Sequence, residues 1–363
     1  MPLSTSSSES RVTAIRTRDL PGEIPWTRVA VVAAILAIIT IGWREWSLRE
    51  SGSGPALALQ PGLWAWQRNL VRKAEPDSTV VVGSSRISFG FDQDEWVRCG
   101  GGPRPFMLAW PAICPRPQLH DFATDESFHG TLLVGVTPGF FFCSSANSIP
   151  MRVQQFVALA RHWGPADDIE QRCRFLLEPR FSILLNGETS LLTWLRYRLD
   201  LPQRAGQLPA FRDSRFFWID EHCRGRLIEG FEKRPEEIQV VCNWLQTWLA
   251  TQTLYPPGNL DLIVQEVVAD VQKIRARGGR VIFVRFPSTG WYRDDERVQQ
   301  PRVAYWDRLI RETGCLGIHF EDYPELSGFD CPENSHLTQP DAIKFTRRLY
   351  AIVASQSKRG KHD

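Results

Sequence analysis

The sequence has no C-x-x-C pair among its eight cysteines, which leaves zinc ribbons and thioredoxin-like chemistry without their ligand or thiol spacing. No G-K-[ST] follows its glycine turns, so there is no Walker phosphate loop. It also lacks a block of one charge. Its 43 basic and 41 acidic residues are interspersed for a net charge of +2, whereas a nucleic-acid-coating protein needs a concentrated basic face. Nucleic acid is therefore not an expected partner. No internal repeat is visible, and histidine is scarce, with seven residues of which His362 lies at the C-terminal end.

What is present is an ordinary globular composition, 43% hydrophobic and 23% charged over 363 residues. That length suits one large α/β domain or two modest ones. Tryptophan is abundant at 14 residues. Such residues serve as membrane-interface anchors, sugar-stacking platforms or large core fillers.

The N-terminus sets the compartment. Residues 1–25 are rich in Ser, Thr and Arg without a hydrophobic period, the composition of a disordered tail. An uncharged run follows from Val29 to Trp43, fenced by Arg28 and Arg44. As a helix its 15 residues cover only about 22 Å of a roughly 30 Å hydrocarbon core. Trp26 and Trp46 extend it to both interfaces, with the flanking arginines snorkelling outward. The A-x-A-like site, Ala56-Leu57-Ala58, lies too far beyond the run for ordinary signal cleavage. An uncleaved inner-membrane anchor over 26–46 is the expectation. Arg11, Arg16, Arg18 and Arg28 precede it, against Arg44 and Arg49 just after it. The positive-inside rule then keeps the N-terminus in the cytoplasm and puts the main domain in the periplasm. Eight cysteines allow about 105 full pairings, so no disulfide is assigned; Cys99 and Cys114 are the closest in sequence.

Beyond a linker helix within 47–74, residues 75–355 read as a doubly wound α/β domain, followed by a tail over 356–363. Ser78–Gly83, Thr131–Val136 and Arg280–Phe286 are short, β-branched apolar runs, the signature of buried parallel strands. Helices are expected at Leu260–Arg277, Pro301–Thr313 and from near Thr338 to Ser355, with a short strand near Gly317–Phe320. Alternating strands and helices imply a parallel sheet. Between the second and third strands, about 145–258, the chain is rich in Trp, Phe and Arg with few strand signals, a helical insertion over the sheet.

Two elements carry candidate chemistry. Val80-Val81-Val82 runs into Gly83-Ser84-Ser85-Arg86, placing serines at the C-terminal edge of a strand, where open α/β sheets bind ligands. Tight turn geometry or anion binding at a helix N-terminus accounts for the same small residues. In the polar loop before the last helix, Glu333 and His336 stand three apart, a spacing that lets a carboxylate orient an imidazole whose other nitrogen faces a serine. The segment Arg285 to Arg293 leaves the third strand at the same edge, where Arg285 or Tyr292 either binds a substrate hydroxyl or carboxylate or simply belongs to an ordinary strand-end loop. His319, Glu321 and Asp322 match no standard metal-site spacing, so neither metal nor cofactor is expected.

Gly83-Ser84-Ser85 near the start of the domain and Glu333-x-x-His336 near its end resemble the SGNH (GDSL-like) hydrolase superfamily. The branch they are most similar to is the membrane-anchored set of DltD-like and alginate-acetylation (AlgJ- and AlgX-like) proteins. The resemblance covers roughly 75–145 and 278–355. It implies an SGNH-hydrolase-like, flavodoxin-like three-layer fold with a helical insertion. Ser85 would be the nucleophile, His336 the base and Glu333 the orienting acid, with Asp330 as the fallback. Ser84, Arg86, Thr137 and Arg285 would form the oxyanion and substrate-binding set. Thr137 stands where the family has an oxyanion-hole Asn, and the segment Phe106–Pro111 lacks the expected Gly.

The resemblance further implies a serine esterase or O-acyltransferase acting on cell-surface polysaccharide or cell-wall glycan, working beside a membrane-bound O-acyltransferase. The competing expectation is an inactive SGNH-fold subunit that binds glycan or that membrane partner. No extended apolar lid is evident, which counts against a lipase-like esterase.

Overall fold

The computed structural model describes residues 25–50, 54–146, 148–184, 216–251 and 259–359. The expected N-terminal tail, the end of the C-terminal tail and part of the insertion lie outside these. The chain divides into two compact units, 1–46 and 47–363.

In the first unit, helix α1 (Trp26–Glu50) begins directly after Pro25. Its 25 residues exceed the uncharged run at both ends and correspond to about 38 Å. The flanking Trp and Arg residues continue the helix because no proline lies between Trp26 and Glu50. Its most apolar stretch has a mean hydropathy of 1.9, long and apolar enough to cross a membrane.

The second unit is built on five parallel strands: β1 (Thr79–Val82), β2 (Phe106–Met107), β3 (Thr131–Gly135), β6 (Arg280–Arg285) and β7 (Leu316–His319). Their order is β2-β1-β3-β6-β7. With a separate antiparallel hairpin, β4 (Phe217–Ile219) and β5 (Gly225–Leu227), set aside, this is the doubly wound order 2-1-3-4-5, whose switch point lies between β1 and β3. Val80, Val81 and Val82 are fully buried, as are Leu132–Val134 and Ile282–Val284. β-branched and aliphatic residues on both faces are what a sheet covered on each side demands.

The helices are α2 (Pro61–Lys73), α3 (Ser85–Gly90), α4 (Gln93–Arg98), α5 (Arg116–Thr124), α6 (Pro138–Phe141), α7 (Ser148–Arg161), α8 (Pro165–Leu177), α9 (Pro235–Thr251), α10 (Leu260–Ala276), α11 (Gly290–Gln299), α12 (Arg308–Thr313), α13 (Pro324–Ser327) and α14 (Gln339–Arg359). They pack in two groups. α2, α5, α7 and α10 contact one another in series, and α14 packs against α3, α4 and α13. The expected helix over Pro301–Thr313 is present but opens with a π-helical turn, Val303–Asp307.

Two strand elements went unread in the sequence, as did the helices α3, α4, α5 and α11, the last beginning within an expected strand-end loop. β2 pairs only through Val80–Phe106 and Val81–Met107. The hairpin β4–β5 interrupts the expected helical insertion and is bound to α3 and the residues after it. Gly225 N–H donates to Ser88 Oγ at 3.1 Å, and Arg224 forms an ion pair with Asp92, both side chains 2% exposed.

Candidate active site

Ser85 is the first residue of α3, directly past the end of β1. The turn depends on two glycines. Gly83 has φ of +151°, and a Cβ there would fall 2.4 Å from Ile87 Cγ2; a Cβ on Gly135 of β3 would meet the same side chain at 2.5 Å. Both positions are bare so that α3 can close down over the sheet edge. Ser85 is half-buried while Ser84 is buried.

The residues after β1 and β3 meet across the switch point. Ser84 Oγ and Thr137 Oγ1 lie 2.7 Å apart, both buried. Two hydroxyls sharing one hydrogen bond keep one O–H proton to donate elsewhere. Gly83 is held further: its N–H donates to Gln118 Oε1 at 3.2 Å, and its carbonyl accepts from Trp110 N–H at 3.0 Å. Two residues past Trp110, Ala112 adopts φ of +56°, the left-handed region that favours glycine. The segment after β2, which lacks the glycine the resemblance calls for, thus contains a glycine-like backbone carried by alanine. The residue type gave no sign of it.

The loop Cys331–Leu337 arrives from the other end of the chain. It turns at Asn334, φ +70°, a conformation that asparagine tolerates better than most residues. Asn334 N–H donates to Cys331 O, while Asn334 O accepts from Thr289 N–H at 3.1 Å. The loop is thereby pinned to the exit of β6. Within it Glu333 Oε1 and His336 Nδ1 form a short hydrogen bond. Glu333 is fully buried and His336 is 5% exposed. Asp330 is exposed and makes no such contact, so Glu333 orients the imidazole. Its partner oxygen, Oε2, and His336 Nε2 are both buried without a hydrogen bond.

Three contacts bring this loop to α3. The His336 ring lies against Phe89, centroids 4.4 Å apart at 30°, and Phe89 is one helical turn from Ser85. Arg86 Nε donates to Ser335 Oγ at 3.3 Å. A Cβ on Gly90 would meet the ring of Phe286 at 2.5 Å and Leu337 at 3.6 Å. The neighbours of Ser85 and His336 therefore touch, although no Ser85–His336 hydrogen bond is formed, since Nε2 has no partner. Catalytic hydrogen bonds often tighten only when substrate is bound.

Arg86 and Arg285 have a different environment from the substrate-binding one expected of them. Both are buried on Glu296, which no sequence signal had singled out. Arg86 NH1 donates to its two oxygens at 2.7 and 3.0 Å. Arg285 NH2 and Ser288 Oγ donate to Oε2 at 2.5 and 2.8 Å. Burial opposes the charge of both guanidiniums. At Arg86 the attraction of Glu296 more than offsets it, while Arg285 remains below its usual value, with Arg86 also repelling it. The bonds to Glu296 thus fix α3 and β6 to α11, while Arg86 NH2 is buried without a hydrogen-bond partner. Tyr292 lies beneath the Arg86 guanidinium, 4.3 Å to its ring centre, and burial raises its phenol pKa.

A small cavity of about 50 Å³ opens at the ends of β3, β6 and β7, lined in part by Arg285, Tyr305 and His319. Neither Ser85 nor His336 lines it. There His319 Nδ1 accepts from Glu321 N–H at 3.2 Å. Burial and the nearby Arg285 and Arg302 pull the imidazole down to about 3. Glu321 is itself bound by Arg293 and Arg297.

No protein-family model matches this chain, and no curated protein is significantly similar to it.

Proposed function

We propose that this chain is a membrane-anchored, extracytoplasmic serine esterase or O-acyltransferase of SGNH type, acting on cell-surface polysaccharide or cell-wall glycan. The observation that carries the reading is the buried Glu333–His336 pair, whose Nε2 is unpartnered on a loop packed against the helix that Ser85 begins. A buried nitrogen without a partner is costly and expected where a site awaits one. In this reading Ser85 Oγ attacks the carbonyl carbon of an acyl ester while His336 Nε2 takes its proton. Glu333 accepts the Nδ1–H and steadies the imidazolium. The tetrahedral intermediate expels the alcohol, which recovers the proton, leaving acyl-Ser85. Water or a sugar hydroxyl then takes the acyl group by the reverse sequence. The Ser84–Thr137 hydroxyl pair and the backbone at Ala112 are the nearest candidates for holding the oxyanion; each such donor is worth about 10²–10³ in rate. A membrane-bound O-acyltransferase that delivers the acyl group across the membrane is the partner implied by the resemblance alone.

The test is labelling of the detergent-solubilised full chain with a fluorophosphonate probe. Native protein is expected to label, and S85A and H336A to lose the label. No labelling of folded native protein would sink the enzymatic reading in favour of the second one, an inactive subunit binding glycan or the membrane partner. One observation favours that second reading: His336 packs its ring on Phe89 and forms no bond to Ser85. A reporter fused after Asp363 reads the sidedness separately.

A further inference from the structure

Cys114 and Cys143 belong to one small buried cluster with Phe140 and Ile149, and neither thiol is exposed. Cys114 sits just before α5, on the segment leaving β2. Cys143 sits just after α6, on the segment leaving β3. Arg116 already clamps the two segments, its Nε donating to Phe141 O at 2.8 Å and its NH2 to Cys143 O at 2.5 Å. The thiols point at consecutive carbonyls of that turn, Cys143 Sγ to Phe140 O at 3.1 Å and Cys114 Sγ to Phe141 O at 4.0 Å. Cys99, Cys223, Cys242 and Cys331 each bond a partner other than sulfur.

We propose that Cys114 and Cys143 close a disulfide that ties together the two segments flanking the switch point, those carrying Ala112 and Thr137. The inference rests on the extracytoplasmic reading above, because disulfides persist in oxidising compartments. The reaction is thiol–disulfide exchange. The Cys114 thiolate attacks a disulfide donor, releasing one donor thiolate and leaving a mixed disulfide. The Cys143 thiolate then attacks Cys114 Sγ, the Sγ–Sγ bond forms, and the second donor thiolate leaves. Two thiol protons are lost, and the two electrons reside on the reduced donor. In the folded chain burial disfavours a thiolate at Cys114, yet the Cys143 thiol and the Arg116 guanidinium outweigh it and lower its pKa. The exchange balances equally with Cys143 attacking first. Because both sulfurs are buried, exchange belongs to folding, before the cluster closes.

Mass spectrometry decides the pairing. Arg104 and Arg116 each precede proline, so trypsin leaves Cys99, Cys114 and Cys143 on a single peptide, residues 99–152. Full-length chain from an exporting host, blocked with N-ethylmaleimide at lysis, is expected to give that peptide with one N-ethylmaleimide adduct, on Cys99, and about 2 Da light at the other two sulfurs. Further cleavage with chymotrypsin should yield fragments joined through Cys114 and Cys143. C114A and C143A should each lower Tm by about 5 °C, C114A/C143A should lower it no further, and chain unfolded, reduced with dithiothreitol and refolded should melt at the same value. Both thiols alkylated in a chain whose Asp363 reporter is extracytoplasmic would overturn the proposal, as would additive effects of the two substitutions. Should the reporter prove cytoplasmic, the localisation falls by itself. The chain is then unfolded and refolded in detergent with a glutathione redox buffer: a Cys114–Cys143 link supports the pairing and its absence overturns it.

Discussion

The ring of Phe89 lies against the imidazole of His336, their centres 4.4 Å apart. Phe89 also packs with Phe216, Leu227 and Phe231 in the cluster beneath the hairpin, so the face of His336 is set by a residue anchored in the insertion. Ser85, one turn earlier on α3, shares that support. His336 and Ser85 are therefore both supported by one short helix, and the Glu333 bond fixes the remaining rotation of the ring.

Glu333→Gln keeps the shape of the side chain and removes its charge. Fluorophosphonate modification of Ser85 is expected to slow by about 10³-fold or more, the scale seen when a triad carboxylate becomes an amide. Asp330→Asn should leave the rate within about two-fold. The comparison is a stopped labelling time course on both variants, and a larger effect of Asp330→Asn would reassign the orienting acid.

Glu296→Gln leaves two buried guanidiniums, Arg86 and Arg285, without their counter-ion. Breaking a buried pair from one side costs about 3–5 kcal/mol. Urea unfolding of the solubilised chain should show a loss of that size. An unchanged midpoint would mean that the network contributes nothing to the packing of α3, β6 and α11.

His319 titrates near 3 in the folded chain because burial comes first and Arg285 and Arg302 add repulsion, against about 6.5 when unfolded. Its folded value is depressed, so its contribution to stability is complete above pH 6.5 and lost as pH falls toward 3. The unfolded chain binds a proton in that window that the folded chain refuses, at roughly 1.4 kcal/mol per pH unit. Between pH 6.5 and 5 the expected loss is about 2 kcal/mol. His319→Gln should flatten this part of the profile; an equal slope in native and variant protein would place the acid sensitivity elsewhere.

The central strands were readable because both of their faces are buried, which makes Val80–Val82 and Val281–Val284 continuous apolar runs. β2 was not, since two paired residues carry no period. The hairpin was hidden because Phe217–Leu227 lies in a stretch whose aromatic and Arg content suits helix and strand alike. The Glu333–His336 contact was legible as a three-residue spacing. Phe89 and Glu296 were not, because their roles depend on partners some 250 and 210 residues away in the chain. Ala112 shows a further limit: a left-handed backbone is announced by glycine or asparagine, and alanine gives no such sign.

The bonds from Arg224 to Asp92 and from Gly225 to Ser88 have a mechanical consequence. They grip α3 and the turn just beyond it, so the hairpin cannot slide without dragging the support of Ser85. Swapping the insertion for another sequence would then alter more than the surface offered to substrate. It would change the stiffness of the mount on which the serine is carried.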